Sequence, residues 1–488
     1  MDKITPVTNL VSVSSVSGNE IIEKDDFLKI EGEADFAAKI YPHLRGKIAY
    51  VHQRAKWMVF DGSIWKLDEI EVHRAMVREI VDKALKIVPP DRTRLRAKMQ
   101  SSHYVSAVLK ELRSMKDIAV SVETLDANPY ILGTPGGYVD LKTGRMLKPN
   151  PMMWVTKSTN VTPAEDPNCP TFMWVLGQAH AGQEEIIDWF LTWIGYCLTG
   201  EAALEMAIVN RGSGGNGKGT IYSGIMNAAG DYMSSAADDA FTVDRHGNTS
   251  SDTSIAALVG ARLIVLSEPT DGRMWNTGRL KAFTGNEVPI TARFLYKDNF
   301  SYMPTGKVNV NANFDIGLKT VDDAMKRRLR IVPWPHSIPK EEQDTTLKER
   351  LAAEAPGILR LLIQKAVEFV DYHLRYKRFL PDPKIVEEAT SEYFDSQDPV
   401  SRFMSLCTQS TESPDDSGIK QARLVEVYNR WAHNNGEEKK RYMAKDCERL
   451  GYRKSTTSGS TYIRAIDFSD VGRVIADEVD ELKGRGGL

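Results

Sequence analysis

Residues 206–220 limit most strongly how this chain can fold. The apolar run Met206–Val209 is followed after two residues by Gly212–Lys218, which reads GSGGNGK, and then by a stretch compatible with a helix. A strand, a glycine-rich turn and a helix with the spacing G-x-x-x-x-G-K are typical of a phosphate-binding loop. Glycines let the backbone N–H groups turn toward an anion, and the N-terminus of the next helix adds a favourable dipole. The alternative is a glycine-rich turn that binds nothing.

The loop predicts ATP as the ligand and Mg²⁺ as its metal ion. Lys218 is expected to reach the β- and γ-phosphates as a point charge. The residue after this lysine is usually a Ser or Thr that ligates Mg²⁺, but here it is Gly219. Either Thr220 or a water molecule is expected to hold the metal instead. The residues predicted to bind nucleotide are Gly212, Ser213, Gly214, Gly215, Asn216, Gly217, Lys218, Gly219 and Thr220.

A buried strand, Ala261–Leu266, ends in Ser267 and Glu268. At this position Glu268 is suited to orient or deprotonate the attacking water. Ser267 occupies the place of the usual metal-binding aspartate and would act through a water. We therefore expect Thr220, Ser267 and Glu268 to contribute to the metal site. The alternative is an acid that faces solvent at the end of a strand.

The segment Lys307–Asn313 alternates apolar residues with asparagines. In a strand this alternation puts Asn309, Asn311 and Asn313 on one face. Buried amides need hydrogen-bond partners, and a γ-phosphate with its lytic water would suit Asn313. Loop backbone is an equally acceptable partner for Asn309 and Asn311.

Arg327 and Arg328 precede another predicted strand. A guanidinium supplied to the γ-phosphate of a neighbouring subunit is a common way to stabilise the transition state. Either arginine could play this part, with Arg328 slightly favoured. The alternative is a solvated basic face.

The chain of 488 residues is too long for one hydrophobic core, and its net charge of −3 does not mark a DNA-coating monomer. Four cysteines without C-x-x-C spacing argue against a zinc knuckle and a disulfide framework. We expect no signal peptide, no membrane span and a cytoplasmic location in a bacterial host. The predicted divisions are a flexible arm (1–35), a mixed α+β domain (36–200), a parallel α/β domain (201–345), a helical connector (346–390) and a winged-helix-like domain (391–488).

Local patterns support these divisions. Residues 50–69 predict a β-hairpin that turns at Asp61-Gly62, and residues 128–151 predict a second hairpin region with turns at Gly136-Gly137 and Thr143-Gly144. Residues 184–200 predict an amphipathic helix. The order helix, helix, hairpin after residue 418 is that of a winged helix, with Lys439, Lys440 and Arg441 opening its second helix.

Together these motifs resemble the superfamily 3 helicases, specifically the phage and plasmid P4-type and poxvirus D5-like branch. The resemblance runs from about residue 45 onward. It rests on a set of short motifs. They are Gly212–Lys218, Ser267-Glu268, the segment from Lys281 through Thr284-Gly285 to Arg293, Arg327-Arg328-Leu329, the pair Trp57 and Trp65, and Gly137–Leu141. The family's N-x-x-P sensor corresponds to Asn313–Ile316, where isoleucine replaces the proline.

The resemblance implies an α/β fold with an AAA+-like P-loop ATPase core, an N-terminal D5-like domain and a C-terminal winged helix. By analogy with the family, it also implies a ring of six subunits that encircles single-stranded or forked DNA and hydrolyses ATP between subunits. A hairpin between the acidic strand and the asparagine strand would point into the pore and contact DNA through Arg293, Tyr296 and Lys297. An ordinary surface hairpin is the alternative.

Only about 35 residues precede the D5-like segment, which predicts that this chain does not synthesise primers and works with a separate primase or polymerase. The first rival to a replicative helicase is an origin-binding initiator whose ATPase only remodels DNA. The second is a P-loop motor or a small-molecule kinase. A kinase would need neither arginines supplied in trans nor a winged-helix tail.

Overall fold

The structure of the chain is a computed structural model. It describes residues 27–244, 253–285, 287–294, 298–319, 321–337, 344, 346–411, 418–457 and 459–484.

The N-terminal part of the fold is a mixed sheet covered by helices. Its helices are α1 (Glu33–Leu44), α2 (Val72–Leu85), α3 (Thr93–Gln100) and α4 (Ser102–Leu112), and its strands are β1 (Ile48–Val51), β2 (Lys56–Phe60), β3 (Trp65–Leu67) and β4 (Ala119–Val120). The strand order is β3-β2-β1-β4. The predicted hairpin is confirmed: β2 and β3 are antiparallel, and the Asp61 carboxylate accepts the N–H groups of Ser63 and Ile64 in the turn.

The predicted N-terminal arm is too long. Phe27 and Ile30 are fully buried and belong to the same core as Phe36 on α1. The ring of Phe27 lies 5.7 Å from the ring of Phe36 in an edge contact. Such burial stabilises a structure by about 1.5–3 kcal/mol per large apolar side chain. The packed domain therefore begins by residue 27, and residues 1–26 of the predicted arm lie outside the described residues.

A three-stranded antiparallel meander follows, formed by β5 (Ile131–Thr134), β6 (Gly137–Asp140) and β7 (Arg145–Leu147). The two turns lie where the sequence predicts them. The meander packs against the first sheet through Tyr138 and Ile64, which share one buried cluster. Nearby, Trp65 stacks on Trp154 with ring centroids 4.8 Å apart.

Two helices, α5 (Pro170–Ala179) and α6 (Glu184–Leu198), connect this region to the next sheet. The helix predicted at 184–200 is confirmed over Glu184–Leu198, but its polar face is hardly exposed: from Ile186 onward, all its residues except Asp188 are buried. The reason is a close neighbour. A Cβ on Gly195 would lie 2.5 Å from the backbone nitrogen of Ala366, so the glycine allows a later helix to cover the face that would otherwise meet water.

The centre of the molecule is a five-stranded parallel sheet, as the alternation of strands and helices predicts. Its strands are β8 (Ala207–Arg211), β9 (Met233–Ala236), β11 (Leu263–Ser267), β15 (Lys307–Ala312) and β16 (Leu329–Pro333), in the spatial order β16-β8-β15-β11-β9. All four pairings are parallel. The carboxyl ends of β8, β15 and β11 therefore meet at one edge, where ligands bind in open α/β sheets.

Short elements surround this sheet. They are α7 (Lys218–Ala229), β10 (Thr242–Val243), α8 (Thr253–Ala256), β12 (Met274–Trp275), α9 (Thr277–Gly285), β13 (Ile290–Arg293), β14 (Asn299–Tyr302) and α10 (Asp323–Arg328). The hairpin expected between the acidic and asparagine strands is present, because β13 and β14 pair antiparallel. The two faces of the sheet are covered by separate apolar clusters, one including Ile208 and the other including Val308.

The remaining chain begins with three helices, α11 (Leu347–Ala353), α12 (Ala355–Tyr376) and α13 (Lys384–Gln397). A small terminal unit follows, with α14 (Pro399–Cys407), β17 (Thr408–Ser410), β18 (Gly418–Lys420), α15 (Gln421–Asn435), α16 (Ala444–Arg449), β19 (Lys454–Thr457), β20 (Ser460–Arg464), β21 (Ile466–Phe468) and α17 (Asp470–Gly484). The predicted order of helix, helix and hairpin is found here.

One boundary in this terminal unit differs from the sequence prediction. The second helix begins at Ala444, so Lys439, Lys440 and Arg441 precede it rather than open it. Lys440 is held in this position because its backbone N–H donates to Asn429 and its ammonium group pairs with Asp446.

No helix in the described ranges is both long and apolar enough to cross a membrane.

Candidate functional site

The glycine-rich loop lies between the carboxyl end of β8 and the start of α7. Gly214, Gly215 and Gly217 have φ angles of 91°, 64° and 80°, a region that favours glycine. At Gly212 the restriction is steric, since a Cβ would lie 2.0 Å from the Asn216 Nδ2 and 2.6 Å from the Trp334 carbonyl oxygen. The loop sequence is therefore required by its backbone geometry.

Lys218 is the first residue of α7, and its side chain turns back into the loop. Its Nζ donates to the Gly212 carbonyl oxygen at 2.9 Å, to the Asn216 Oδ1 at 2.9 Å and to the Asn313 Oδ1 at 3.2 Å. Burial lowers the pKa of this lysine to about 8, although the carboxylate of Glu268 partly opposes the shift. The cation is thus preorganised, and an incoming phosphate would restore the charge that burial disfavours.

Asn216 has a role that the loop motif alone did not reveal. Its Oδ1 accepts from Lys218, while its Nδ2 donates to the Trp334 carbonyl oxygen at 3.1 Å. Trp334 directly follows β16. The side chain therefore fastens both the lysine and the loop to the edge strand of the sheet.

An open cleft of about 330 Å³ lies over this loop. It is lined by Gly214, Gly215, Asn216, Gly217, Lys218, Gly219, Thr220, Ser223, Glu268, Asn313 and Lys348. Loop, acid and asparagine are thus brought together as the sequence predicts. Ser223 and Lys348 were not predicted; Ser223 is one helical turn after Thr220, a spacing that could have indicated it.

Glu268 follows β11 at the same edge of the sheet. Its φ angle of 49° is unusual for a residue with a side chain, and such strained conformations cluster at functional sites. The conformation is held because the Glu268 N–H donates to the Asn311 carbonyl oxygen at 2.8 Å. The Glu268 side chain is exposed and faces the cleft.

The oxygen atoms near the loop suit Mg²⁺, which prefers hard oxygen ligands and retains several waters. The Thr220 hydroxyl and the Glu268 carboxylate line the cleft. Ser267 is the exposed last residue of β11, beside Asn311 in the parallel register. Among the described residues no group of three or more His, Cys, Asp or Glu could hold a metal. These residues fit a metal that is held mainly by nucleotide and water.

The three asparagines of β15 have two different environments. Asn309 is fully buried, and its Oδ1 accepts from the Trp193 indole at 2.7 Å and from the Tyr222 hydroxyl at 3.1 Å. The Oδ1 of Asn311 accepts from the Asn210 amide at 3.0 Å. Other side chains therefore donate to the Oδ1 atoms of both residues, and the Asn309 Nδ2 also donates to the Lys307 carbonyl oxygen of β15. Asn313 alone of the three lines the cleft, as the sequence predicts.

Arg327 and Arg328 lie at the amino ends of the parallel strands, opposite the end that carries the glycine-rich loop. They end α10 immediately before β16, whose Leu329 pairs with Ala207 at the start of β8. The five residues of β8, at about 3.3 Å each, separate the amino end of the strands, where the arginines lie, from the loop by roughly 16 Å. Neither arginine lines the cleft over the glycine-rich loop of its own chain.

The two arginines differ in their contacts. Arg328 is buried, and its guanidinium donates to the Thr284 hydroxyl and the Ala324 carbonyl and pairs with Glu205 at 2.6 Å. Arg327 also pairs with Glu205, at 3.0 Å, but its side chain is 61% exposed. Of the two, Arg327 is the one whose side chain is exposed to solvent.

The β13–β14 hairpin exposes Arg293 and Phe294. Phe294 is 47% exposed, and its ring stacks on Phe300 with centroids 5.3 Å apart. The other two predicted DNA contacts, Tyr296 and Lys297, lie outside the described residues.

The basic stretch at residues 92–98 serves the fold. The guanidinium of Arg92 donates to the Leu28 and Ile30 carbonyls, and that of Arg96 donates to two carbonyls after α2 and at its end. Lys98 pairs with Glu33. These contacts tie the start of the described chain to α3.

Comparison with protein families gives two matches. Residues 34–180 match the family described as D5 N terminal like. Residues 210–328, which contain the loop, Glu268, Asn313 and Arg327, match a family of unknown function, DUF5906.

Curated relatives come from large DNA viruses. A protein of Acanthamoeba polyphaga mimivirus named "Putative helicase" is 26% identical over 417 residues, which cover 80% of this chain and 42% of that protein. A "Putative helicase" of Frog virus 3 is 25% identical over 206 residues, covering 40% of this chain and 21% of that protein. A "Putative primase" of African swine fever virus is 21% identical over 366 residues, covering 70% and 37%.

The chain thus spans less than half the length of these curated relatives.

Among solved structures, the A form apo structure of the NrS-1 C terminal region aligns with a TM-score of 0.45 and 14% identity, covering 90% of this chain and 100% of that one. The family match over residues 34–180 and the viral relatives agree with each other, and together they support a place for this chain in the D5-like primase-helicase family.

Proposed function

We propose that this chain is an ATP-driven DNA helicase of superfamily 3 that works in replication. The observation that carries the proposal is the shared cleft at the carboxyl edge of the parallel sheet. There a buried lysine in a glycine loop meets an acid and an asparagine from two other strands. The names of the viral relatives, helicase and primase, support a role in DNA replication.

ATP hydrolysis at this cleft would use five residues in distinct roles. Lys218 would neutralise charge on the transferring phosphoryl group, and Asn313, already hydrogen-bonded to Lys218, would position the γ-phosphate and water. Glu268 would orient or deprotonate that water. Mg²⁺, when bound through Thr220, Glu268 and waters, supplies charge neutralisation. Ser267 would reach the metal only through a water.

The proposal includes an AAA+-like core and a ring, with six subunits on the family analogy. The distance along the strands supports a ring, because Arg327 and Arg328 are too far from the loop of their own chain to act there. Buried contacts occupy Arg328, so we assign the trans role to Arg327 and reverse the preference that the sequence alone suggests. Glu205, which pairs with both arginines, would hold Arg327 in place.

DNA contacts are assigned to the β13–β14 hairpin. Arg293 supplies a cation for phosphates, and the exposed, stacked ring of Phe294 supplies a platform for a base. Tyr296 and Lys297 stay part of this proposal. The three-stranded sheet and helices of the terminal unit support a winged helix.

Wider assignments belong to the same proposal. A separate primase or polymerase would be the partner, because the activity proposed for this chain is unwinding and not primer synthesis. The bacterial cytoplasm is the proposed location, and the four free, buried cysteines agree with a reducing compartment.

ATP hydrolysis measured with and without single-stranded DNA tests the proposal. We expect DNA to raise the rate in wild type and Lys218→Ala to be inactive in both conditions. Hydrolysis that DNA does not change, with phosphate passed to a small molecule, would favour the kinase alternative. An origin-binding initiator shares every motif and is separated only by an unwinding assay.

A further inference from the structure

Lys348 lines the nucleotide cleft although it lies outside the parallel sheet and its loops. It belongs to α11, the first helix after the sheet, and its side chain is exposed. It faces the same 330 Å³ space as Lys218, Thr220 and Glu268. The cleft therefore has a second cation from a separate part of the chain.

The position of α11 is fixed by contacts on its other residues. The Arg350 guanidinium donates to the Thr171 hydroxyl at 2.9 Å. The Glu354 carboxylate, just beyond the helix, accepts the N–H groups of Thr171 and Phe172 at 2.9 and 3.0 Å. These bonds anchor α11 to the start of α5.

Packing against α7 sets the direction of Lys348. Leu351 is fully buried, and a Cβ on Gly224 would lie 3.7 Å from the Leu351 Cβ. Lys348 lies one helical turn before Leu351, and Thr220 lies about one turn before Gly224. The lysine is thereby brought to the side of α7 that carries Thr220 and Ser223, and all three residues line the same cleft.

The charge of Lys348 is not used elsewhere in the described part of the chain. Arg350 on the same helix pairs with Asp344, whereas Lys348 makes no ion pair with a described residue. A lysine at the rim of an anion site that forms no ion pair with a described carboxylate is available to a ligand.

We propose that Lys348 is a second phosphate-binding residue that contacts the polyphosphate of the bound nucleoside triphosphate. This inference rests on the proposed function, because it needs a nucleotide on the loop. Lys348 binds from the helical segment that follows the sheet, so the nucleotide links that segment to the loop.

Equilibrium binding of AMP-PNP and ADP with Mg²⁺ to the full chain tests this role. Lys348→Ala should weaken AMP-PNP binding about tenfold, as expected for one charge-assisted contact. Lys348→Arg should retain most of the affinity, and Lys348→Gln, which keeps a polar side chain only one atom shorter but without the charge, should lose as much as the alanine variant. Lys348→Glu should lose more.

Two controls separate this effect from damage to the fold or a change in net charge. Glu349→Ala alters an exposed neighbour on the same helix, and Lys384→Ala removes a surface lysine on α13 that is 85% exposed. Both should bind AMP-PNP like wild type. Lys218→Ala, measured in parallel, should lose binding.

The outcomes distinguish the two levels of inference. If Lys348→Ala and Lys348→Gln bind like wild type while Lys218→Ala does not bind, Lys348 is a solvated lysine and the inference is overturned. If Lys218→Ala binds normally, the nucleotide site itself is misassigned and the proposed function fails. Equal losses in Glu349→Ala would attribute the effect to the helix and would also overturn the inference.

Discussion

Mixed assemblies of two inactive variants provide a sharp test of catalysis between subunits. Arg327→Ala removes an exposed guanidinium at the amino end of β16, about 16 Å from the loop of the same chain. We expect this variant to bind ATP like wild type, because its own cleft is intact. Its hydrolysis rate should fall by about 10³–10⁵, the range found for arginine fingers.

The magnitude of recovery follows from counting interfaces. Glu268→Gln lacks the acid in its own cleft but still offers Arg327 to the neighbour. In an equal, random mixture, an interface works only when the cleft belongs to an Arg327→Ala chain and the arginine to a Glu268→Gln chain. About one quarter of the interfaces meet this condition for any ring size, so the rate should recover to roughly a quarter of wild type if interfaces act independently.

Steady-state phosphate release from the separate and mixed variants measures this recovery, and native mass spectrometry shows whether mixed assemblies form. The double variant, with both substitutions in one chain, is the matched control and should give no recovery when it is mixed with either single variant. Mixed assemblies without recovery would refute a trans role for Arg327. The same experiment with Arg328→Ala should give little recovery, since that residue is held by Thr284 and Glu205 inside its own chain.

Three further predictions address the metal, the lysine and the hairpin. A Cβ on Gly219 meets no atom within 4 Å, so Gly219→Ser should lower the Mg²⁺ concentration required for half-maximal ATP hydrolysis. Thr220→Ala should raise that concentration about tenfold. An unchanged Mg²⁺ titration for Thr220→Ala would indicate that a water molecule binds the metal in place of the hydroxyl. The pKa of Lys218 is about 8 without ligand, and phosphate binds the protonated form. The affinity for ADP, measured by calorimetry, should therefore fall by up to about tenfold per pH unit above that value. Lys218→Arg stays charged and should show no such fall. Phe294→Ala should weaken the binding of single-stranded DNA by roughly 1–3 kcal/mol, measured by fluorescence anisotropy. Met303 directly follows β14 and is also exposed, at 43%, but Met303→Ala should not weaken this binding. Equal losses in the two variants would contradict a stacking role for Phe294.

Local sequence signals predicted the elements that build the site. The glycine positions identified the loop, the β11 run ended in Glu268 as expected, and alternation in Lys307–Asn313 placed the three asparagines on one face. These signals involve residues close together in sequence. They depend on strand periodicity and glycine conformation, which the sequence states directly.

The contacts that distinguish similar residues could not be read in this way. Arg327 and Arg328 are adjacent and chemically identical, and both pair with Glu205, over 120 positions earlier. Only the contacts of Arg328 with Thr284 and Ala324 distinguish the buried arginine from the exposed one. Asn309 differs from Asn313 because Trp193, on α6, donates to it. Lys348 reaches the cleft only through the docking of α11. Each depends on long-range packing that periodicity does not encode.

Unwinding of a forked DNA duplex tests the central claim most directly. Strand separation of a fluorescently labelled fork should require ATP and Mg²⁺ with wild type, and Lys218→Ala and Arg327→Ala should leave the duplex intact while still binding DNA. DNA-stimulated ATP hydrolysis by wild type without any strand separation, or separation that proceeds equally well without ATP, would contradict the account.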